Sequence, residues 1–282
     1  MNEHMYWSIR REIWENRFIY IAPLVVTAVV LFGSLVATMT LPSQMRTGSA
    51  VTAAHKQVLP FQMAPAPVML STFIVGLFYC LDALYGERRD RSILFWKSLP
   101  VSDRTAVLAK AAIPLLVLPL IAYALSVVVH TILRIATWAI LAGSGVSPTP
   151  VMANVPFFSS VFVMGYGLAV HALWFAPIYG YLLLVSAWAR RAAVLWVVLP
   201  PLAIIAVERI VGGGAAFGSL LQYRVMGAMS LAFGAHTAGD VNRLSDLSPG
   251  NYLSSPGLWL GLMFAAACIV AAIRLRRNRE PI

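Results

Sequence analysis

Long apolar runs separated by short charged stretches set the pattern of this chain. Six of them, 19–41, 68–85, 106–141, 157–188, 192–211 and 258–273, are read as transmembrane helices, a crossing needing roughly 20 apolar residues. The third run is too long for a simple crossing, since about 36 residues at 1.5 Å each make roughly 54 Å of helix, so it is expected to cross and then project. Prolines fall inside several runs. Pro114 and Pro119 predict a kink in the inner half of the third, Pro177 interrupts the fourth, and Pro200 with Pro201 breaks the fifth. Paired prolines remove backbone donors inside the bilayer, so a neighbouring helix must satisfy the freed carbonyls.

The polar stretches divide into two kinds. Residues 1–18 place Met5, Ile9, Ile13, Trp7 and Trp14 in helical alternation with Arg10, Arg11 and Arg17, the pattern of an amphipathic helix lying in the membrane interface. Residues 42–66 and 143–156 read as outer loops rich in turn formers. Residues 212–255 are read as an outer region in which 217–233 forms a re-entrant or interfacial helix. The stretch 86–104 is different, because it is polar overall yet carries a helical pattern of its own. Glu87 and Arg91 stand four apart, as an ion pair on one helix face would, and Ile93, Leu94, Phe95, Trp96 and Leu99 supply an apolar and aromatic surface. Pro100 ends that helix, and Ser102 or Asp103 caps the next.

Composition agrees with an all-α polytopic membrane protein. Hydrophobic residues make up 60% of the 282, only 11% are charged, and the mean hydropathy is +0.78; a soluble globular domain is not built this way. In a soluble chain the net charge of +10 would point to nucleic acid. Here the cations cluster in short loops beside apolar spans, so no nucleic-acid partner is expected. Of the 21 Lys and Arg, fifteen fall on the side that carries the N-terminus and six on the other. That asymmetry places both termini and the 86–104 loop in the cytoplasm. Cys80 and Cys268 lie inside apolar runs without CxxC spacing and are read as inert packing.

The 86–104 loop resembles that of the integral-membrane permease subunits of the ABC exporter family, type-2 class. In that family the loop between the second and third spans runs Glu, several polar residues, a Gly-Thr-like pair, a leucine-rich turn, then Leu-Ser-x-Pro-Val-Ser and a later Lys. The matching positions here are Glu87, Arg91 with Ser92, Ile93 and Leu94, then Ser98, Leu99, Pro100, Val101, Ser102 and finally Lys110, with Arg91 standing where the family often has Gly. The resemblance implies a six-span half-transporter of the inner membrane, paired with a second, identical or homologous permease and with two cytoplasmic ATPase subunits. It also implies that 86–104 holds the coupling helix. Phe95 and Trp96 would enter a groove on the ATPase, with Glu87, Arg88 and Arg91 setting orientation at the rim. The five prolines named above are where tilting of the spans could be absorbed.

The chain has no GxxxxGK[ST] phosphate loop, no HExxH and no GxSxG. It is therefore expected not to be an enzyme and to bind no cofactor, ATP and Mg belonging to the partner. His171, inside the fourth span, is read as a hydrogen-bonded structural residue, and His130 with Arg134 as lying near the outer surface. Asp82 and Glu208 are expected to snorkel or to pair locally rather than to carry an ion. Two other classes stay open: an ion-coupled secondary transporter, and a membrane anchor that transports nothing.

Overall fold

A computed structural model describes residues 3–47, 61, 63–98, 101–211, 215–234 and 244–278. Among them there is no strand. The helices are α1 (Glu3–Glu15), α2 (Phe18–Met39), α3 (Leu41–Thr47), α4 (Pro65–Ala83), α5 (Tyr85–Arg89), α6 (Ser92–Ser98) and α7 (Asp103–Ala112). A π-helical turn, Ile113–Val117, then joins α7 to α8 (Leu118–Gly143), and α9 (Thr149–Asn154), α10 (Phe157–Trp188), α11 (Ala193–Val211), α12 (Ala216–Phe233), α13 (Pro249–Ser254) and α14 (Pro256–Asn278) follow. Six helical stretches, Phe18–Arg46, Pro65–Arg89, Asp103–Gly143, Thr149–Trp188, Ala193–Val211 and Pro256–Asn278, are long and apolar enough to cross a membrane. The chain is an all-α, multi-pass membrane protein.

α10 is the central post. Its Trp174, Phe175 and Tyr179 meet Tyr79 of α4 and Leu258 of α14 in the main core. The closest helix pair is α10 with α14, because Gly180 leaves the Ala265 backbone only 3.1 Å from where a β-carbon would sit. α11 lies at the other extreme, and α2 packs on α4 and α8 along one face only. Ala193 alone in α11 is buried, and α2 buries only Ile19, Pro23, Thr27 and Thr38.

The prolines behave differently from one another. Pro114 sits in the π-helical turn, where the hydrogen-bond register changes, and Pro119 is the second residue of α8. Pro177 lies inside α10, and Pro200 and Pro201 inside α11. Because Pro200 has no N–H, the carbonyl of Trp196 four residues earlier loses its helical partner. The Tyr181 hydroxyl of α10 donates to that carbonyl at 3.2 Å.

α12 is fastened to the middle of α10. The Trp174 indole N–H donates to the Arg224 carbonyl at 2.6 Å, while the Arg224 guanidinium donates to the carbonyls of Trp174 (3.2 Å) and Gly257 (2.7 Å). Trp174 lies about 21 Å from the end of α10 at Trp188, at about 1.5 Å per residue. Glu208, near the end of α11, accepts from the Phe217 amide at 2.9 Å and so caps the start of α12. At the other end of the bundle Asp82 pairs with Arg89 at 3.6 Å, both exposed. Both cysteines are buried and free.

Candidate functional site

The end of the bundle where α1, α5, α6, α7 and the last turns of α14 meet carries most of the described charge, and is called here the basic end. The sequence predicts one continuous helix over 87–99. The structure breaks it: α5 ends at Arg89, and Arg91 adopts a left-handed conformation with φ +58° before α6 begins. The break turns α6 away from the line of α5, so the expected Glu87–Arg91 pair on one face does not form. Instead Glu87 points into the bundle. Left-handed backbone costs a residue with a β-carbon roughly 1–2 kcal/mol, and glycine much less. Arg91→Gly is therefore expected to keep the fold and raise thermal stability slightly, by up to about 1 kcal/mol, as a melting curve of the purified chain would record.

Arg88 is buried too, and its role is structural. Its guanidinium donates to the carbonyls of Ser186 (2.8 Å) and Ala189 (2.6 Å), which lie at the C-terminal end of α10, where unpaired carbonyls favour a cation. The Ser186 hydroxyl in turn accepts from the amides of Leu84 (3.0 Å) and Tyr85 (2.9 Å), at the junction of α4 and α5. Glu87 and Arg88, expected at the rim of an interface, are both enclosed by this chain.

Glu87 belongs to a network that spans the sequence. It receives the Lys110 ammonium at 3.2 Å and the Arg276 guanidinium at 3.0 Å, and Arg276 also pairs with Asp103. Lys110 reaches Glu12 of α1 at 2.9 Å, where Arg11 (2.7 Å) and the Tyr79 hydroxyl (2.7 Å) also donate. Three carboxylates and three cations thus balance one another, with Lys110, Glu12 and Arg276 almost wholly enclosed. An unpaired charge there would be costly, so each member holds its neighbours in place. The network ties α1, α4, α5, α7 and α14 into one body.

Burial pushes the Glu12 carboxyl up, but Lys110, Arg11 and Tyr79 outweigh it, and Glu12 ends below the ordinary glutamate value. A carboxyl lowered by folding stabilises the docked arm fully above its unfolded pKa of about 4.3, and that contribution fades as pH falls through the lower folded value. The distance between spin labels at His4 and Arg104 is accordingly expected to be constant from neutral pH down to about 5, and to lengthen only below about 4.

Outside the network lies a small apolar surface. Ile93 is buried and anchors α6, and Trp96 is half-buried beneath Arg11, whose guanidinium carbon is 4.0 Å from the ring centroid. Leu94 and Phe95 are 59% and 60% exposed. Of the two aromatics expected to enter a groove, only Phe95 is free to do so, and Leu94 stands beside it. Arg91 and Lys97 are exposed at either end, whereas Leu99 and Pro100 lie outside the described residues. Ser102 caps α7, its hydroxyl accepting from the Thr105 amide at 3.1 Å.

Sequence reasoning missed Glu12, Asp103 and Arg276 as partners of Glu87 and Lys110. One signal was there: Glu12 shares the stripe of Ser8, Ile9 and Ile13, the face that α1 turns to the core, while Trp7 and Trp14 face outward on either side of Arg10. A glutamate on an apolar stripe calls for a buried cation. His171 differs from expectation, its Nδ1 having no hydrogen-bond partner among rings of Phe73 and Phe175. Among the described residues no group of three or more His, Cys, Asp or Glu is placed to hold a metal. No family model, curated protein or solved structure matches this chain.

Proposed function

We propose that this chain is the permease subunit of an ATP-driven exporter of the type-2 ABC class, and that the basic end receives the motion of separate ATPase subunits. The observation that carries the reading is the pairing of Glu87 with Lys110 at 3.2 Å. These are the first and last residues of the loop pattern that the sequence resembles, and they meet inside the bundle while Leu94 and Phe95, between them, stay exposed. Arg91 adds a second support, since it takes the left-handed conformation that glycine adopts most readily, at the position where the resembled loop often has Gly.

On this reading the basic end faces the cytoplasm, both termini with it, and the protein resides in the inner membrane, as the excess of Lys and Arg on that side suggests. ATP and Mg bind the partner subunits. α12, fastened against mid-α10, serves as the re-entrant helix of the outer side. α2 and α11, each with a largely exposed face, are the spans that a second permease chain would cover, and Pro177 of α10 with Pro200 and Pro201 of α11 are where tilting of the spans would be absorbed. The π-helical turn holding Pro114, with Pro119 just beyond it, would play the same part between the network and α8.

Native mass measurement of the complex extracted in mild detergent tests this. Two permease chains with two nucleotide-binding subunits are expected. A single permease chain with neither a second permease nor an ATPase would overturn the proposal.

A further inference from the structure

Between α4, α8, α10 and α12, away from the basic end, lies a cavity of about 160 Å³. Its wall is mostly apolar, with Phe61, Met69, Met164, Leu168 and Phe233 among the lining residues. Ser126 and Ser160 line it too, the Ser160 hydroxyl donating to the Pro156 carbonyl at 2.9 Å. His130 also lines the cavity, is only 3% exposed, and its Nε2 has no hydrogen-bond partner. The sequence places His130 near the outer surface, but the structure encloses it between the rings of Phe61 and Phe157, at centroid distances of 5.4 and 5.6 Å.

We propose that this cavity binds an amphiphile whose apolar segment fills the space beside Met69 and Met164 and whose neutral hydrogen-bonding group meets His130. Size sets the first part. A space of about 150 Å³ accepts a molecule as large as benzene, so this one takes a ring or a short run of an alkyl chain. Methionine suits such a wall, because its unbranched thioether adapts to varied apolar shapes. The buried imidazole sets the second part. A buried polar nitrogen without a partner is unfavourable, and a ligand hydroxyl or amide that supplies one gains specificity from it.

Charge decides against ionic ligands. Arg134, one turn further along α8, faces His130 from the same helix; its guanidinium donates to the Val155 carbonyl at 2.6 Å and lies over the Phe157 ring. A cationic ligand would be repelled by it. An anion would have to reach out of the cavity to that guanidinium, because no Lys or Arg is among the lining residues. A long-chain alcohol matches what remains. The site lies within this single chain, so it stands whether or not an ATPase partner exists.

The test uses the full chain in lipid nanodiscs and a photoactivatable sixteen-carbon alcohol, with the matching hydrocarbon as its control. Mass spectrometry of the digested protein should find alcohol labelling concentrated on the segments carrying Met69 and Met164. Met164→Trp, which fills the space, should cut that labelling about tenfold. His130→Phe, which keeps the ring and removes both nitrogens, should weaken labelling by the alcohol about threefold to tenfold, the range of one neutral hydrogen bond, and leave that by the hydrocarbon unchanged. Since one variant overfills the site and the other exchanges the imidazole for an apolar ring, a folded sample of either one decides the matter. Labelling spread evenly over the lipid-facing helices and unmoved by the folded variant would overturn the proposal. So would equal loss of alcohol and hydrocarbon labelling in His130→Phe.

Discussion

Lys110→Met is expected to cause the largest stability loss of any single substitution at the basic end, on the order of 3–5 kcal/mol, the range found when one partner of a buried ion pair is removed. The ammonium lies between Glu12 and Glu87 at 2.9 and 3.2 Å, and both carboxylates are buried. Without it they face each other across a space shielded from water. Glu87 keeps Arg276 and Glu12 keeps Arg11 and Tyr79, so the fold should survive with the docking of α1 loosened. Adding Glu12→Gln should recover part of the loss, because it removes one of the two stranded charges. The double-mutant cycle, read from melting of the purified chain, is expected to give a coupling of about 1–3 kcal/mol. Strict additivity of the two single changes would mean that Glu12 and Lys110 do not share a charge network.

The spans were legible because an apolar run of helix length has few other uses, and the six runs read from sequence recur as six helical stretches. The need for a neighbour to satisfy the paired prolines was legible as well, and Tyr181 supplies the bond to the Trp196 carbonyl. The charge network was not. Residues 12, 87, 103, 110 and 276 lie on four elements, and no spacing rule relates positions so far apart. Lys110 gave the strongest hint, standing inside an apolar run where a cation needs a carboxylate nearby. The break at Arg91 was hidden for another reason: arginine is an ordinary helix former, and nothing local marks it as the left-handed residue that turns α6.

If the proposed function holds, the double variant Leu94→Ala with Phe95→Ala is expected to fold and insert like the parent, yet to lose the proposed ATPase partner. Both side chains are well over half exposed and make no part of the network, so truncating them should cost this chain little stability. Exposed apolar residues on a short helix held rigidly from beneath, here by Ile93 and by Trp96 under Arg11, are suited to a pocket on a partner. When such anchors are truncated, affinity falls by about 2 kcal/mol or more, roughly thirtyfold. Trp96→Ala should behave differently, disturbing the contact with Arg11 and so the docking of α1.

The measurement that bears most directly on the proposed coupling role of the basic end is quantitative copurification of the proposed nucleotide-binding subunits with the parent chain and with the Leu94→Ala, Phe95→Ala double variant, alongside transport-stimulated ATP hydrolysis. The account predicts that the variant, inserted at parental levels, binds the ATPase with affinity lowered about thirtyfold, so that copurified ATPase falls sharply at concentrations below the variant's Kd, and shows no stimulated hydrolysis. Full copurification and full stimulation by the double variant would contradict it.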